Sequence, residues 1–310
     1  MQHWPPDMKL TTFEADGVTR IGAVLGDAVV ALQPALDAAC VAAGEPTQSL
    51  PAEMRGLLEA GEAALVAAAR ALAFAARPEN AALRRRLASV RLLAPLLPGK
   101  ILGVGRNYAD HAKEVGGPKL VAPRIFLKPT SSVCGPDAVV QIPASVTKPD
   151  WEVELAVVIG RTAWQVSEGT ALDHVAGYTV LNDVSAREFQ FDQPLAMTSF
   201  AKGLDGFCPI GPYLVTADEV GEPWQLGLRC WLNDELVQEG NTRDLIFSVA
   251  ALIAYLSRYM ALQPGDIIAT GTPAGSGHFR SPPRYLRAGD RMRLEVERVG
   301  VLQHGIGETL

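Results

Sequence analysis

Residues 149–160 read PDWEVELAVVIG. On an extended chain alternate side chains share a face. Trp151, Val153, Leu155, Val157 and Ile159 then lie on one side, and Glu152, Glu154, Ala156, Val158 and Gly160 on the other. From Ala156 onward both sides are apolar, the pattern of a strand covered on both faces. The segment is expected inside a layered fold, with Glu152 and Glu154 at the mouth of a buried face. An isolated E-x-E is ordinarily a solvated strand end. Beside a core, however, two parallel carboxylates repel one another and each resists desolvation. A divalent cation relieves both problems, and oxygen-only donors select a hard ion: Mg²⁺, Mn²⁺ or Ca²⁺.

Around this stretch, 93–310 is strand-rich and broken by turns. Its strand candidates are 100–105, 124–129, 138–143, 175–183, 212–216, 226–240, 266–271, 291–300 and 301–308, with one strong helix over 245–260. Many short strands with Gly/Pro turns imply a closed or rolled β architecture. Residues 8–32 alternate β-type runs with turns, Ala15-Asp16-Gly17-Val18 being a hairpin candidate. Residues 33–90 are rich in Ala, Leu, Glu and Arg and read as two or three helices, most clearly over 49–76. The expectation is a small α+β domain over 1–92 and a main domain over 93–310, with the first seven residues a loose tail.

Composition narrows the class. The 310 residues are 48% hydrophobic and 20% charged with a net charge of −6, an ordinary globular balance that argues against a nucleic-acid partner. The longest apolar stretch, 63–76, is interrupted by Arg70, so a packed helix is expected there and no membrane partner. The start lacks a basic segment followed by an apolar one, and a cytoplasmic location is expected. The four cysteines form no C-x-x-C pair, which leaves zinc-ribbon and redox motifs unsupported. Residues 103–108, GVGRNY, carry Tyr108 where a dinucleotide loop needs its third glycine, and no G-x-x-x-x-G-K, H-E-x-x-H or G-x-S-x-G occurs.

Other segments offer chemistry. Asp183 follows the apolar run 175–181 and is a third ligand candidate. Asp at such a join often caps a helix, but Ser185 and Glu188 already spell an S-x-x-E capping box that would free it. His111 and Glu114 stand at i, i+3, so on a helical turn the carboxylate orients the ring and raises its basicity. That suits a general base, although an exposed polar turn is the plainer reading. Gly116, Gly117 and Pro118 follow as a hinge candidate. Lys202, a lone cation among apolar residues and glycine, is either a loop lysine or an electrophile for an oxyanion or enolate. The loop 270–277, with Thr270 or Thr272 and its backbone N–H groups, is either a surface turn or a carboxylate cradle.

The motifs G-x-G-R-N-Y-x-x-H-x-x-E, F-L-K-P, D-W-E-x-E-L-A-V-V-I-G, N-D-V-S-A-R, K-G-x-D-G-F-C-P-I-G-P and G-D-I-I-A-T-G-T-P-A-G occur in one succession. In this order the chain resembles the fumarylacetoacetate hydrolase superfamily, densely over 98–308. The resemblance implies a mixed, β-rich α+β fold, a β-sandwich roll with a small N-terminal α+β domain, and a homodimer with a divalent metal. It implies Glu152, Glu154 and Asp183 as metal ligands, and His111 with Glu114 as a water-activating pair on a lid. Lys202 would stabilise developing charge, and Arg187, Gln190, Thr270 and Gly271 would contact substrate. The animal enzyme's fourth carboxylate has no counterpart in ILGVGRNY (101–108), so three carboxylates are expected. The implied chemistry is hydrolysis of a C–C bond in a 2-oxo acid or 1,3-dicarbonyl, acylpyruvate- or fumarylpyruvate-like, as in aromatic catabolism. Isomerase, tautomerase or decarboxylase action on a dienoic or oxo-dicarboxylic acid is the alternative, and an inactive ligand-binding protein the second. Residues 188–200 are expected to select the acyl chain.

Overall fold

The computed structural model describes residues 7–116 and 118–308; residues 1–6 of the expected tail and Gly117 of the expected hinge lie outside them. Every residue of the Val153–Ile159 strand is buried, and its two faces enter two different cores. Val153, Leu155, Val157 and Ile159 join Trp151, Leu228, Leu294 and Leu302 in one cluster. Ala156 and Val158 pack instead with Leu36, Leu57, Leu65 and Ile210. The first set meets the sheet formed by Gly227–Leu232, Glu235–Asn241, Arg291–Val296, Gly300–Glu308 and Val139–Ile142. The second meets the helices Leu32–Ala43, Met54–Glu59 and Glu62–Ala76. A strand apolar on both sides is therefore the middle layer of three. Fully burying each such aliphatic side chain contributes about 1.5–3 kcal/mol.

Among the described residues twelve strands join the middle sheet, which runs from Arg84–Arg86 at one edge to Arg124–Lys128 at the other. The roll is open, so the closed alternative does not hold. The N-terminal segment enters this sheet through Lys9–Ala15, which pairs antiparallel with Cys208–Thr216. Its hairpin turns at Asp16 and Gly17, both at positive φ with Ala15 opposite Val18, the backbone that an Asp-Gly pair favours. The expected two or three helices are three, the last ending at Ala76, and short 3-10 turns follow at Pro78–Leu83 and Leu87–Ser89. The Arg84 guanidinium folds back and donates to the carbonyls of Ala75 and Arg77, at 2.8 and 2.6 Å, giving donors to carbonyls that the helix end leaves unpaired. The helix expected over 245–260 is confined to Val249–Ser257, because the Ser248 hydroxyl accepts the Ala251 N–H and caps it there. No helix among the described residues is long and apolar enough to cross a membrane.

Strand register delivers the functional edge. Val153 stands opposite Asn182 and Glu154 opposite Leu181; Ala156 stands opposite Ala269. Ala269 lies beside Gly103 in a parallel pairing, and Gly105 opposite Arg124. The start of the central strand and the ends of its neighbours thus meet along one edge.

Candidate active site

Glu152, Glu154 and Asp183 come together at that edge, all buried, with ligand atoms within 4.8 Å of one another. At an effective dielectric of about 20, each pair of like charges at that separation repels by roughly 3–4 kcal/mol. Three cations, Lys202, Lys128 and Arg187, answer two of the three carboxylates. The Lys202 ammonium donates to Glu152 Oε2 at 2.7 Å, Asp183 Oδ2 at 2.6 Å and Ser185 Oγ at 2.8 Å. Lys128, fully buried, donates to Asp183 Oδ1 at 2.6 Å, to the Phe207 carbonyl at 3.0 Å and to the Lys202 carbonyl. Arg187 forks between Asp150 Oδ2 at 2.8 Å and Glu152 Oε1 at 2.7 Å, and reaches Gln190 Oε1 at 2.8 Å. Glu154 has no cation among the described residues; it accepts only the Gly271 N–H, at 2.8 Å.

The titration directions follow. Burial pushes Glu152 up, but the Lys202 and Arg187 charges outweigh it and hold the carboxyl well below the usual range. For Glu154 burial acts first, the Asp183 and Glu152 carboxylates add to it, and the result is a group pushed well above its ordinary value. Burial pulls the Lys202 ammonium down, yet Asp183 and Glu152 more than restore it and it ends raised. Two glutamates on one strand end are driven in opposite directions.

His111 and Glu114 lie on the short Ala109–Val115 helix. Nδ1 of the imidazole is 2.9 Å from Glu114 Oε2; since a carboxylate only accepts, Nδ1 carries the proton and Nε2 is free as a base. The Ala274 and Gly275 N–H groups donate to Asp110 Oδ2 and Glu114 Oε1, at 3.2 and 3.1 Å, stapling this helix to the Gly-rich loop. Gly271 in that loop has φ +102°, and a Cβ there would sit 2.9 Å from Asn107 Cβ, so only glycine presents this amide to Glu154 without strain.

Together these groups border a cleft lined by His111, Glu152, Glu154, Arg187, Gln190 and Lys202, with Phe126, Phe191 and Phe279 as apolar walls. Thr270 is placed otherwise: it is fully buried and its hydroxyl donates to the Leu155 carbonyl at 2.9 Å. Thr272, two residues on, lines the cleft. Of the stretch 188–200, Gln190, Phe191 and Thr198 reach the cleft, whereas Leu195 and Phe200 are exposed. The capping box expected of Ser185 and Glu188 does not form. The chain after Asp183 stays extended to pair Ser185 with Asp150, so the Arg187–Phe191 helix starts after Ala186 without a side-chain cap. Ser185 Oγ instead donates to the Asp183 carbonyl at 2.9 Å while accepting from Lys202; Glu188 Oε1 accepts the Thr147 N–H at 2.6 Å.

Three contributors escaped the sequence reading. Lys128 carried a signal, a charge that closes the apolar run Ile125–Leu127, but its partner lies 55 positions away. Asp150 accepts from Arg187, from the Gly277 N–H at 2.7 Å and from the His278 N–H at 3.0 Å, locking the far end of the Gly-rich loop. Asn182 Oδ1 accepts the Glu152 N–H at 2.9 Å, and its amide meets His304 Nε2 at 2.9 Å.

Residues 100–307 match the model of the fumarylacetoacetate (FAA) hydrolase C-terminal family. The human mitochondrial oxaloacetate tautomerase FAHD2A is 42% identical over 306 residues, 97% of this chain and 93% of its own. Maleylpyruvate hydrolase from Sphingobium sp. SYK-6, solved with manganese(II) and pyruvate, superposes with a TM-score of 0.76 at 33% identity, covering 98% of this chain and all of that one. The 2-hydroxyhepta-2,4-diene-1,7-dioate isomerase of Mycobacterium marinum gives a TM-score of 0.72 at 30% identity over 97% and 99% of the two chains.

Proposed function

The chain belongs to the fumarylacetoacetate hydrolase family, and from that premise we propose that it moves a proton between carbon 3 and the 2-oxo oxygen of a 2-oxo acid, a keto–enol tautomerisation supported by a divalent cation. The observation that carries this reading is Glu154, a buried carboxylate beside two others with no cation of its own. Glu152, Glu154 and Asp183 are an all-oxygen set that fits a hard ion, and these three residues would hold it. When bound, such a cation supplies electron withdrawal from the oxygens of a 2-oxo acid.

This chain's own residues do the rest. His111, fixed by Glu114, takes the carbon-3 proton at Nε2 and returns it to oxygen. Lys202 faces the negative charge that develops on the 2-oxo oxygen. Arg187 and Gln190 stand where they orient the acid, and the phenylalanine walls limit access of bulk water. A general base of this kind contributes about 10²–10⁴-fold to rate. His111→Asn should therefore lower the rate of oxaloacetate enol–keto interconversion, followed by ultraviolet absorbance, by that factor while Mn²⁺ affinity stays unchanged. Interconversion at the wild-type rate would remove His111 from the reaction.

A second reading has its own support: the likeness to maleylpyruvate hydrolase and a His–Glu pair suited to activating water. There the same base takes a proton from water, and the hydroxide adds to the distal carbonyl carbon. The C–C bond then breaks with its electron pair leaving on carbon 3 as an enolate, which the imidazolium reprotonates to give two acids. Product analysis on acylpyruvates separates the readings, since hydrolysis yields two fragments and tautomerisation one compound.

A further inference from the structure

We infer that Arg106 and Arg124 form a second anion site at the outer end of the cleft, which takes the distal carboxylate of a 2-oxo dicarboxylic acid. The inference rests on the 2-oxo acid reading and adds the other end of the molecule. Both arginines line the same cleft as the carboxylate cluster, and among the described residues neither makes an ion pair. The other cationic side chains lining the cleft, Arg187 and Lys202, are each bound to two carboxylates. Arg106 Nη2 donates to the Pro118 carbonyl at 3.1 Å, but its Nε is buried without a partner. A desolvated guanidinium nitrogen with no acceptor is unfavourable until an anion arrives.

The backbone brings the two side chains together. Arg106 follows the last residue of Ile101–Gly105, and its φ of 61° is left-handed. Arg124 stands opposite Gly105; a Cβ on that glycine would lie 3.7 Å from Arg124 Cδ, so the Arg124 stem runs alongside Gly105, next to Arg106. Two planar guanidinium forks are suited to a carboxylate, which each can hold through paired N–H donors.

The strand Arg124–Lys128 measures the distance between the two ends. Residues 124, 126 and 128 share one face. Lys128 reaches Asp183 at the inner end, while Phe126 and Arg124 line the cleft beyond it. Phe126 packs against Gly103, where a Cβ would come 2.1 Å from the ring's Cζ, so the ring takes this place only because residue 103 has no side chain. Four residues of strand span about 13 Å between Cα atoms. A ligand matching this line has an oxygen-rich head at the carboxylate cluster, a short apolar chain past Phe126, and a second negative charge at the arginines.

The test compares 2-oxo dicarboxylic acids of four to seven carbons with the 2-oxo monoacids of equal length. In wild-type protein loaded with Mn²⁺, kcat/KM and calorimetric affinity should both favour the diacid by about 10- to 100-fold, the range of charge-assisted hydrogen bonds. The preference should fall to within about threefold of unity in the Arg106→Leu/Arg124→Leu protein, with Mn²⁺ affinity unchanged, and Arg124→Lys should keep only part of it. Diacids that bind tighter only when both arginines are present support the second site even if no 2-oxo acid is turned over, in which case the tautomerase reading falls alone. Equal binding of diacid and monoacid by the wild type, or a preference that survives in the double variant, overturns the second site and leaves the tautomerase reading standing.

Discussion

The two ends of the cleft hold opposite kinds of charge balance. At the inner end Glu152, Asp183, Asp150, Lys128, Lys202 and Arg187 are interlocked by bonds of 2.6–2.8 Å, while Glu154 has no cation among the described residues. At the outer end Arg106 and Arg124 have no carboxylate partner among the described residues. Interlocked charges preorganise a site, because their positions are set before a ligand enters. Unpaired charges leave an opening for one. The lone carboxylate asks for a cation and the lone arginines for an anion.

The charge balance of the inner end depends most on Lys202. Lys202→Met leaves Glu152 and Asp183 repelling one another and removes the charge facing the substrate. Turnover of a 2-oxo acid in stopped-flow assays should fall by about 10³-fold or more. Retention of a tenth of wild-type activity would show that the ammonium only balances charge.

Lys128 tests whether the interlock is itself the scaffold. It does not line the cleft, so Lys128→Met changes no direct contact with substrate. Stripping one partner from a buried ion pair costs about 3–5 kcal/mol, which urea denaturation would read directly. An unchanged midpoint would mean that Asp183 and the two carbonyls find other donors.

Glu154→Gln sharpens the contrast with the smallest effect. Glu154 is raised in the fold above its unfolded value of about 4.3. Between those two values the folded state binds more protons than the unfolded one, so the metal-free protein loses stability as pH rises across that window. Glu154→Gln should remove this slope and raise metal-free stability at alkaline pH by about 1–3 kcal/mol. Mn²⁺ is expected to raise the melting temperature of the wild type, and Glu154→Gln should abolish that rise. Thermal melts across pH, with and without Mn²⁺, check both; identical slopes in the two proteins would place the titration elsewhere.

His304 supplies a separate acid limit. Burial holds its imidazole down to about 4, with Nε2 accepting from Asn182. A histidine kept neutral in the fold and basic when unfolded contributes stability that is fully present above about 6.5 and lost as pH falls toward 4, some 3 kcal/mol in all.

What could be read before folding was local. The double-sided strand, the Asp-Gly hairpin and the adjacency of His111 and Glu114 all follow from backbone periods of two or 3.6 residues, which act within a few positions. The glutamates share one aspect for the same reason. Tertiary structure alone decided the partners: Lys128 with Asp183 across 55 positions, Lys202 with Glu152 across 50, and Thr272 rather than Thr270 at the cleft. It also turned Ser185 from an expected cap into a ligand of Lys202, because pairing with Asp150 holds that segment extended. Periodicity says which way a side chain points along its own strand; what it then meets depends on the register of distant strands.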